Sequence, residues 1–292
     1  MILALAAVLL PALATASAAP VALPGYTAPT ASAARGDDFP PNGKILGEVS
    51  DPLEALTADE DLRDAVISPP SAAWLMGGLR ASNPADRLAA VHSAAIPRHV
   101  AGVPPLAAIM LRLDEKPEIR AAAATALGRI GDAVAAPSLA EALNDPVPDV
   151  RYAAALALGR LPADGAATRL ARTLRSDPSW WVRYAAVLAL GKTRKVFSVG
   201  ALEECLRFEP KWQIRMLAVR SLQDIGGPRA VSAVDLALRD KDSGVRTAAA
   251  LALGEIGDDG DLQFLSAALK AETDLSTRST LSAAYRRILA KP

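Results

Sequence analysis

Cysteine, histidine and aromatic residues are scarce in this sequence, and neither sign of charge is in excess. The single cysteine, Cys205, excludes an intrachain disulfide framework and any multi-cysteine metal or iron–sulfur site. Histidine is limited to His92 and His99, so imidazole-rich metal chemistry has almost no ligands to work with. Four Trp, four Tyr and four Phe in 292 residues are few, because aromatics usually contribute heavily to a core. Lys plus Arg and Asp plus Glu both number 32. That balance argues against a wholesale nucleic-acid or membrane-surface binder, although local patches can hide inside a zero net charge. What the chain has instead is alanine, 63 residues, within a 51% apolar composition that excludes disorder throughout. A core of alanine and leucine implies helices that approach one another closely.

The N-terminus reads as a targeting segment. Residues Ile2 to Ala14 form an apolar run, and Ala16-Ser17-Ala18 has the A-x-A form of a signal-peptidase site. The expectation is a signal peptide over residues 1–18, cleaved near Ala18, and an exported, periplasmic or extracellular protein. No Lys or Arg precedes the run, and it is too short to span a bilayer comfortably, so the mature chain is expected to carry no stable membrane span. Residues 19–50 are rich in Pro, Ala, Gly, Ser and Thr and read as a flexible linker. Residues 51–69 carry an acidic stretch with a thin apolar stripe, expected to form an N-terminal capping helix.

From residue 70 to 292 one motif is written seven times. Asp145-Pro-Val-Pro-Asp-Val-Arg151-Tyr-Ala-Ala-Ala-Leu-Ala-Leu-Gly159 is followed by Asp177-Pro-Ser-Trp-Trp-Val-Arg183-Tyr-Ala-Ala-Val-Leu-Ala-Leu-Gly191. The aligned arginines are Arg87, Arg120, Arg151, Arg183, Arg215, Arg246 and Arg278, spaced by 31 to 33 residues. Each unit holds two amphipathic helices, the second starting about three residues before its arginine. Pro84, Pro117 and Pro148 occupy that start, where a missing N–H costs nothing, and Asn83, Ser179, Asp242 and Asp274 stand one residue earlier as N-caps. Gly131, Gly226 and Gly257 stop the second helix. Such a pair cannot bury its apolar stripe alone, so neighbours must stack.

The pattern D-x-x-x-x-V-R-x-x-A-x-x-A-L-G-x-I-G resembles the short HEAT repeats of the phycobilisome-lyase HEAT-like family. The resemblance implies an all-α, right-handed α-solenoid of about seven helix pairs. It also implies that the aligned Asp and Arg side chains form a ladder along the turns, with an acid six positions before the arginine in most repeats. It specifies fold well and function poorly, because such repeats serve scaffolds and enzymes alike.

Counting from the arginine at 100° per residue, positions −1, +3, +6, +7 and +10 form the core face. Position +3 is alanine in six of the seven repeats, the expected point of close helix contact. The opposite face holds −3, +1, +5 and +8 and should be polar. In three neighbouring repeats it is not: it carries Tyr152, then Trp180, Tyr184 and Leu188, then Trp212, Met216 and Arg220, with Trp181 at position −2. Contiguous apolar patches with aromatics mark contact sites, so these eight residues are the candidate partner-binding surface. The competing reading has Trp180 and Trp212 packing on each other or on the N-terminal segment.

Charge is uneven along the chain. Nine basic residues lie between Arg151 and Lys195 against Asp164 and Asp177, whereas the region before residue 100 has 6 basic and 10 acidic. An acidic protein or peptide is one expected partner, and intramolecular docking of the acidic stretch is another. Nucleic acid is not expected, given the leader and the neutral total.

Some enzymes are built on similar repeats. Deoxyhypusine hydroxylase carries His-Glu pairs that bind iron, but here His92 precedes Ser93 and His99 precedes Val100. Bilin lyases share the repeat without a motif that fixes catalytic residues. HEAT-like alkylpurine glycosylases use a basic concave face that the middle region resembles superficially. Cys205 reads as a buried structural thiol. The sequence therefore predicts a non-catalytic protein- or peptide-binding scaffold, with no catalytic residues, metal or cofactor. The alternative is a HEAT-like enzyme or enzyme subunit, bilin lyase-like or hydroxylase-like without the metal motif.

Overall fold

The chain divides into two units, Met1–Ser68 and Pro69–Pro292. The computed structural model describes residues 72–95, 100–162 and 165–291, all in the second unit. The signal peptide, the linker and the acidic capping helix expected from the sequence, together with His99, lie outside the described residues.

The described residues hold fourteen α-helices, three single-turn 3-10 helices and no strand. They pair as α1 (Ala72–Leu79) with α2 (Pro84–Ala94), α3 (Val103–Met110) with α4 (Pro117–Ile130), and α5 (Ala136–Ala142) with α6 (Pro148–Leu158). Then follow α7 (Ala166–Ser176) with α8 (Trp180–Thr193), and α9 (Ser198–Phe208) with α10 (Trp212–Ile225). The last pairs are α11 (Pro228–Ala237) with α12 (Ser243–Ile256) and α13 (Leu262–Ala271) with α14 (Leu275–Leu289). The seven arginines fall in the first turns of α2, α4, α6, α8, α10, α12 and α14, as their spacing predicts.

Local chemistry starts and stops these helices. Pro84, Pro117 and Pro148 are first residues of their helices. Asn83, Asp242 and Asp274 accept from the backbone N–H of Ala85, Val245 and Thr277. Ser179 holds the N-cap position without a side-chain cap bond; Asp177 Oδ1 accepts the Ser179 N–H instead, at 2.9 Å. Gly131 ends α4 in the left-handed region, φ 75°.

The arginine ladder is continuous over six steps. Arg151 shows the unit: Nε and Nη2 donate to Asp177 Oδ2 and Oδ1 at 2.7 and 3.1 Å, and Nη1 donates to the carbonyls of Asp145 and Pro146 in its own turn. The same fork joins Arg120 to Asp145, Arg183 to Glu209, Arg215 to Asp240 and Arg246 to Glu272. Each carboxylate also accepts backbone N–H groups at the start of its own second helix, such as Val147 N–H on Asp145 at 2.8 Å. One rung departs from the sequence expectation. Arg87 pairs with Glu115 (2.6 Å), five residues before Arg120, while Asp114 is exposed and pairs with Arg112. The longer Glu side chain reaches from the neighbouring position. Arg278 ends the series and is exposed.

The second helices pack on one another more closely than the first helices do. The +3 alanines Ala90, Ala123, Ala154, Ala186, Ala218 and Ala249 are all buried, as expected. The tightest approach, however, is at +8, which the helical wheel placed on the outer face. A Cβ on Gly128 would lie 2.8 Å from Ala157 Cα, and one on Gly159 would lie 2.6 Å from Ala189 Cα. Position +8 faces the next repeat, and a single-helix wheel has no neighbour in it.

The terminal second helices depart from the repeat at positions where neighbouring repeats mesh. Arg286 stands at +8 of α14 in place of glycine, and exposed Asp86 and Ser93 stand at −1 and +6 of α2.

Gly159→Val should lower stability by at least about 1–3 kcal/mol, because the added atoms meet backbone that can yield only by separating α6 from α8. Gly200→Ala, in open space within α9, should raise it by about 0.4–1 kcal/mol. Denaturant midpoints measure both, and similar midpoints for the two variants would contradict the close-packing account.

Candidate partner-binding surface

The aromatic patch lies on α6, α8 and α10. At position −3 the repeats run Pro117, Pro148, Trp180, Trp212, Ser243, and at +1 they run Ala121, Tyr152, Tyr184, Met216, Thr247. The aromatic side chains are therefore confined to the middle of the row, with Leu88 at +1 of α2 and Leu275 at −3 of α14 in the outermost repeats. Tyr152, Trp180, Trp181, Tyr184, Leu188, Trp212 and Met216 are half-buried, and Arg220 is exposed. Tyr152, Trp180, Tyr184, Trp212 and Met216 rest on the core while keeping part of their surface in solvent. Trp180 and Trp181 meet edge to face, with centroids 6.0 Å apart, and Lys211 Nζ sits 5.9 Å from the Trp180 centroid. The ring of Trp212 borders Gly244 at the start of α12. The buried Trp181 indole N–H has no acceptor. Burial, with Tyr184 nearby, pushes the Tyr152 hydroxyl up to about 12, so it is neutral across the physiological range.

Elsewhere the titratable groups behave structurally. Cys205 is buried in α9 and its thiol is pushed up to about 12 by burial, then by the Glu209 charge; it is a poor nucleophile there. His92 is exposed on α2. Among the described residues no group of three or more His, Cys, Asp or Glu is arranged to hold a metal ion, and no helix is long and apolar enough to cross a membrane.

Sequence reasoning missed two features outside the patch. Val196 and Phe197, 57% and 54% exposed, follow the basic Lys192-Thr193-Arg194-Lys195 between α8 and α9; a basic run ending in two large apolar residues was the available signal. A groove of about 550 Å³ between α11 and α13 is lined by Leu236, Phe264 and Asp235. Asp235 Oδ1 is buried without a hydrogen-bond partner, and burial, aided by Asp261 and Asp258, pushes this carboxyl up to about 7. Its sequence context gave no hint, because the two other acids arrive from the next repeat.

A stack of paired helices with an intramolecular arginine–carboxylate ladder is an α-solenoid. HEAT repeats are recognised at residues 72–159, 137–212 and 199–286, and the chain belongs to the HEAT-repeat family. It is similar in structure to the complex of CpcE and CpcF of phycocyanin lyase from Nostoc sp. PCC7120, with 20% identity, 75% of this chain and 95% of that chain covered, and a TM-score of 0.46. Human deoxyhypusine hydroxylase is similar at 21% identity, 87% and 93% coverage and a TM-score of 0.40. An engineered protein is similar at 21% identity, 74% and 95% coverage and a TM-score of 0.43. No curated protein matches the sequence significantly.

Two carboxyls with opposite shifts contribute opposite terms to the pH response. Glu272 is held down to about 2, chiefly by the Arg246 guanidinium, so the stability it contributes is present above its unfolded value of 4.5 and is lost as pH falls towards 2. Asp235 is raised, so the folded state is favoured while it is protonated and loses stability as pH rises from about 4 to about 7. Asp235→Asn should therefore gain stability over the parent with rising pH across that range, read from urea midpoints at pH 5 and pH 8. A difference that does not change with pH would contradict the assignment.

Proposed function

We propose that this HEAT-repeat scaffold is non-catalytic and binds a protein or peptide across the second helices α6, α8 and α10. The observation that carries this reading is the run of half-buried large side chains in three adjacent repeats, Tyr152, Tyr184 and Met216 at +1 with Trp180 and Trp212 at −3, where the next repeat on either side has Pro117 and Ala121 or Ser243 and Thr247. Trp180, Trp181, Tyr184, Trp212 and Met216 offer rigid or adaptable apolar area on a pre-formed scaffold, the composition that partner contacts favour. Arg220 and Lys211 add positive charge at the border. The leader motif ending at Ala18 supports export of the mature chain, so the partner is sought outside the cytoplasm.

The test is capture from the exported fraction by the mature protein and by a Trp181→Ala, Tyr184→Ala, Trp212→Ala triple variant. The reading expects loss of capture with helicity kept in far-ultraviolet circular dichroism. Equal capture by the triple variant would overturn it, as would stoichiometric iron or a bound tetrapyrrole in the purified parent.

A further inference from the structure

A second surface lies on the edge where the second helices end. At position +9 the repeats from α4 to α14 carry Arg129, Arg160, Lys192, Asp224, Glu255 and Arg287 in turn, the last two paired with each other. The packing of Gly128 on Ala157 and of Gly159 on Ala189 puts these positions in register, one helix spacing apart. Arg160, Lys192 and Arg194 are exposed, and among the described residues their side chains form no ion pair. Val196 and Phe197 stand exposed beside them.

Helix-dipole stabilisation does not account for this pattern, since Asp224 and Glu255 occupy the same position at the ends of α10 and α12. Nor does chain geometry account for Arg194. It sits in the left-handed region at φ 49°, in the place that Gly131 and Gly226 hold in two other repeats. A cation is kept there against the backbone preference.

We propose that this edge docks an acidic, extended segment of another protein, with an apolar side chain of that segment resting on Val196 and Phe197. Helices pack about 8–10 Å apart, and an extended chain covers about 10 Å in three residues. Acids roughly three residues apart would therefore meet Arg160 and Lys192 in turn, with Arg194 reinforcing the second. The switch to Asp224 on the same edge favours a polypeptide over an anionic bilayer, because a flat negative surface would meet that carboxylate as well. The edge adjoins the aromatic face, Lys192 standing one turn after Leu188, and a Trp181→Ala variant tells the two surfaces apart.

The probe is a short fluorescein-labelled peptide with Glu at every third position and a terminal Leu, followed by anisotropy against full-length protein at low and high salt. Arg160→Glu, Lys192→Glu, Arg194→Glu together should weaken binding on the order of tenfold or more, and added salt should weaken the parent's binding. Arg194→Gly serves as a second variant: it relieves the backbone strain, so it should melt no lower than the parent yet bind the peptide more weakly. Trp181→Ala should bind it normally. Absence of peptide binding by the parent, or undiminished binding by both charge variants, would overturn the proposal. So would tighter binding to phosphatidylglycerol vesicles than to the peptide.

Discussion

Each ladder arginine has two tasks that a single guanidinium fork can do at once. One nitrogen, Nη1, closes the turn of its own repeat by donating to backbone carbonyls, and the other edge grips the carboxylate of the following repeat. That carboxylate in turn accepts N–H groups at the start of its own second helix, as Glu209 does from Lys211. A turn, a helix start and an inter-repeat contact are thereby locked in one network of charge-assisted bonds. Because Arg120 and Arg215 are only 3% exposed, a shifted register would strand buried charges. The ladder thus fixes how far each repeat can slide on the last, and the glycine and alanine columns can mesh only in that register.

Close meshing explains the composition. Where Gly159 meets Ala189 there is no room for a side chain, so the second-helix layer is built from small residues, with leucine and isoleucine filling the space towards the first helices. Aromatics are few in that layer, Tyr285 at +7 of α14 being the exception. They collect where a side chain can leave it, at positions −3 and +1, and three repeats use that freedom. The two candidate surfaces are therefore departures from an otherwise uniform repeat: one adds aromatic area to the second helices, and the other adds cations and an apolar pair to an edge.

Most of the fold was legible in the chain because the repeat is read seven times over. Arginine spacing gave the helix pairs, and the prolines and caps at Asn83, Asp242 and Asp274 marked the helix starts. What escaped depended on contacts between repeats. Position +8 looked solvent-facing on a wheel drawn for one helix, whereas Gly128 and Gly159 face the neighbour. Asp114 matched the motif, yet Glu115 makes the bond to Arg87, since side-chain reach is not encoded in alignment. The aromatic row was visible from spacing, but its half-buried state was not. Asp235 and its groove were invisible, because Asp258 and Asp261 reach it from the next repeat.

The central claim is that the arginine–carboxylate forks couple adjacent repeats. A double-mutant cycle on Arg215→Met and Asp240→Asn, read by urea denaturation, tests it most directly. The account predicts that each single change costs about 3–5 kcal/mol, because it leaves a buried polar or charged partner unmatched. It also predicts that the double variant costs less than the sum by about 1 kcal/mol or more. Additive losses would show that the two residues act separately and would contradict the ladder as the element that sets the register.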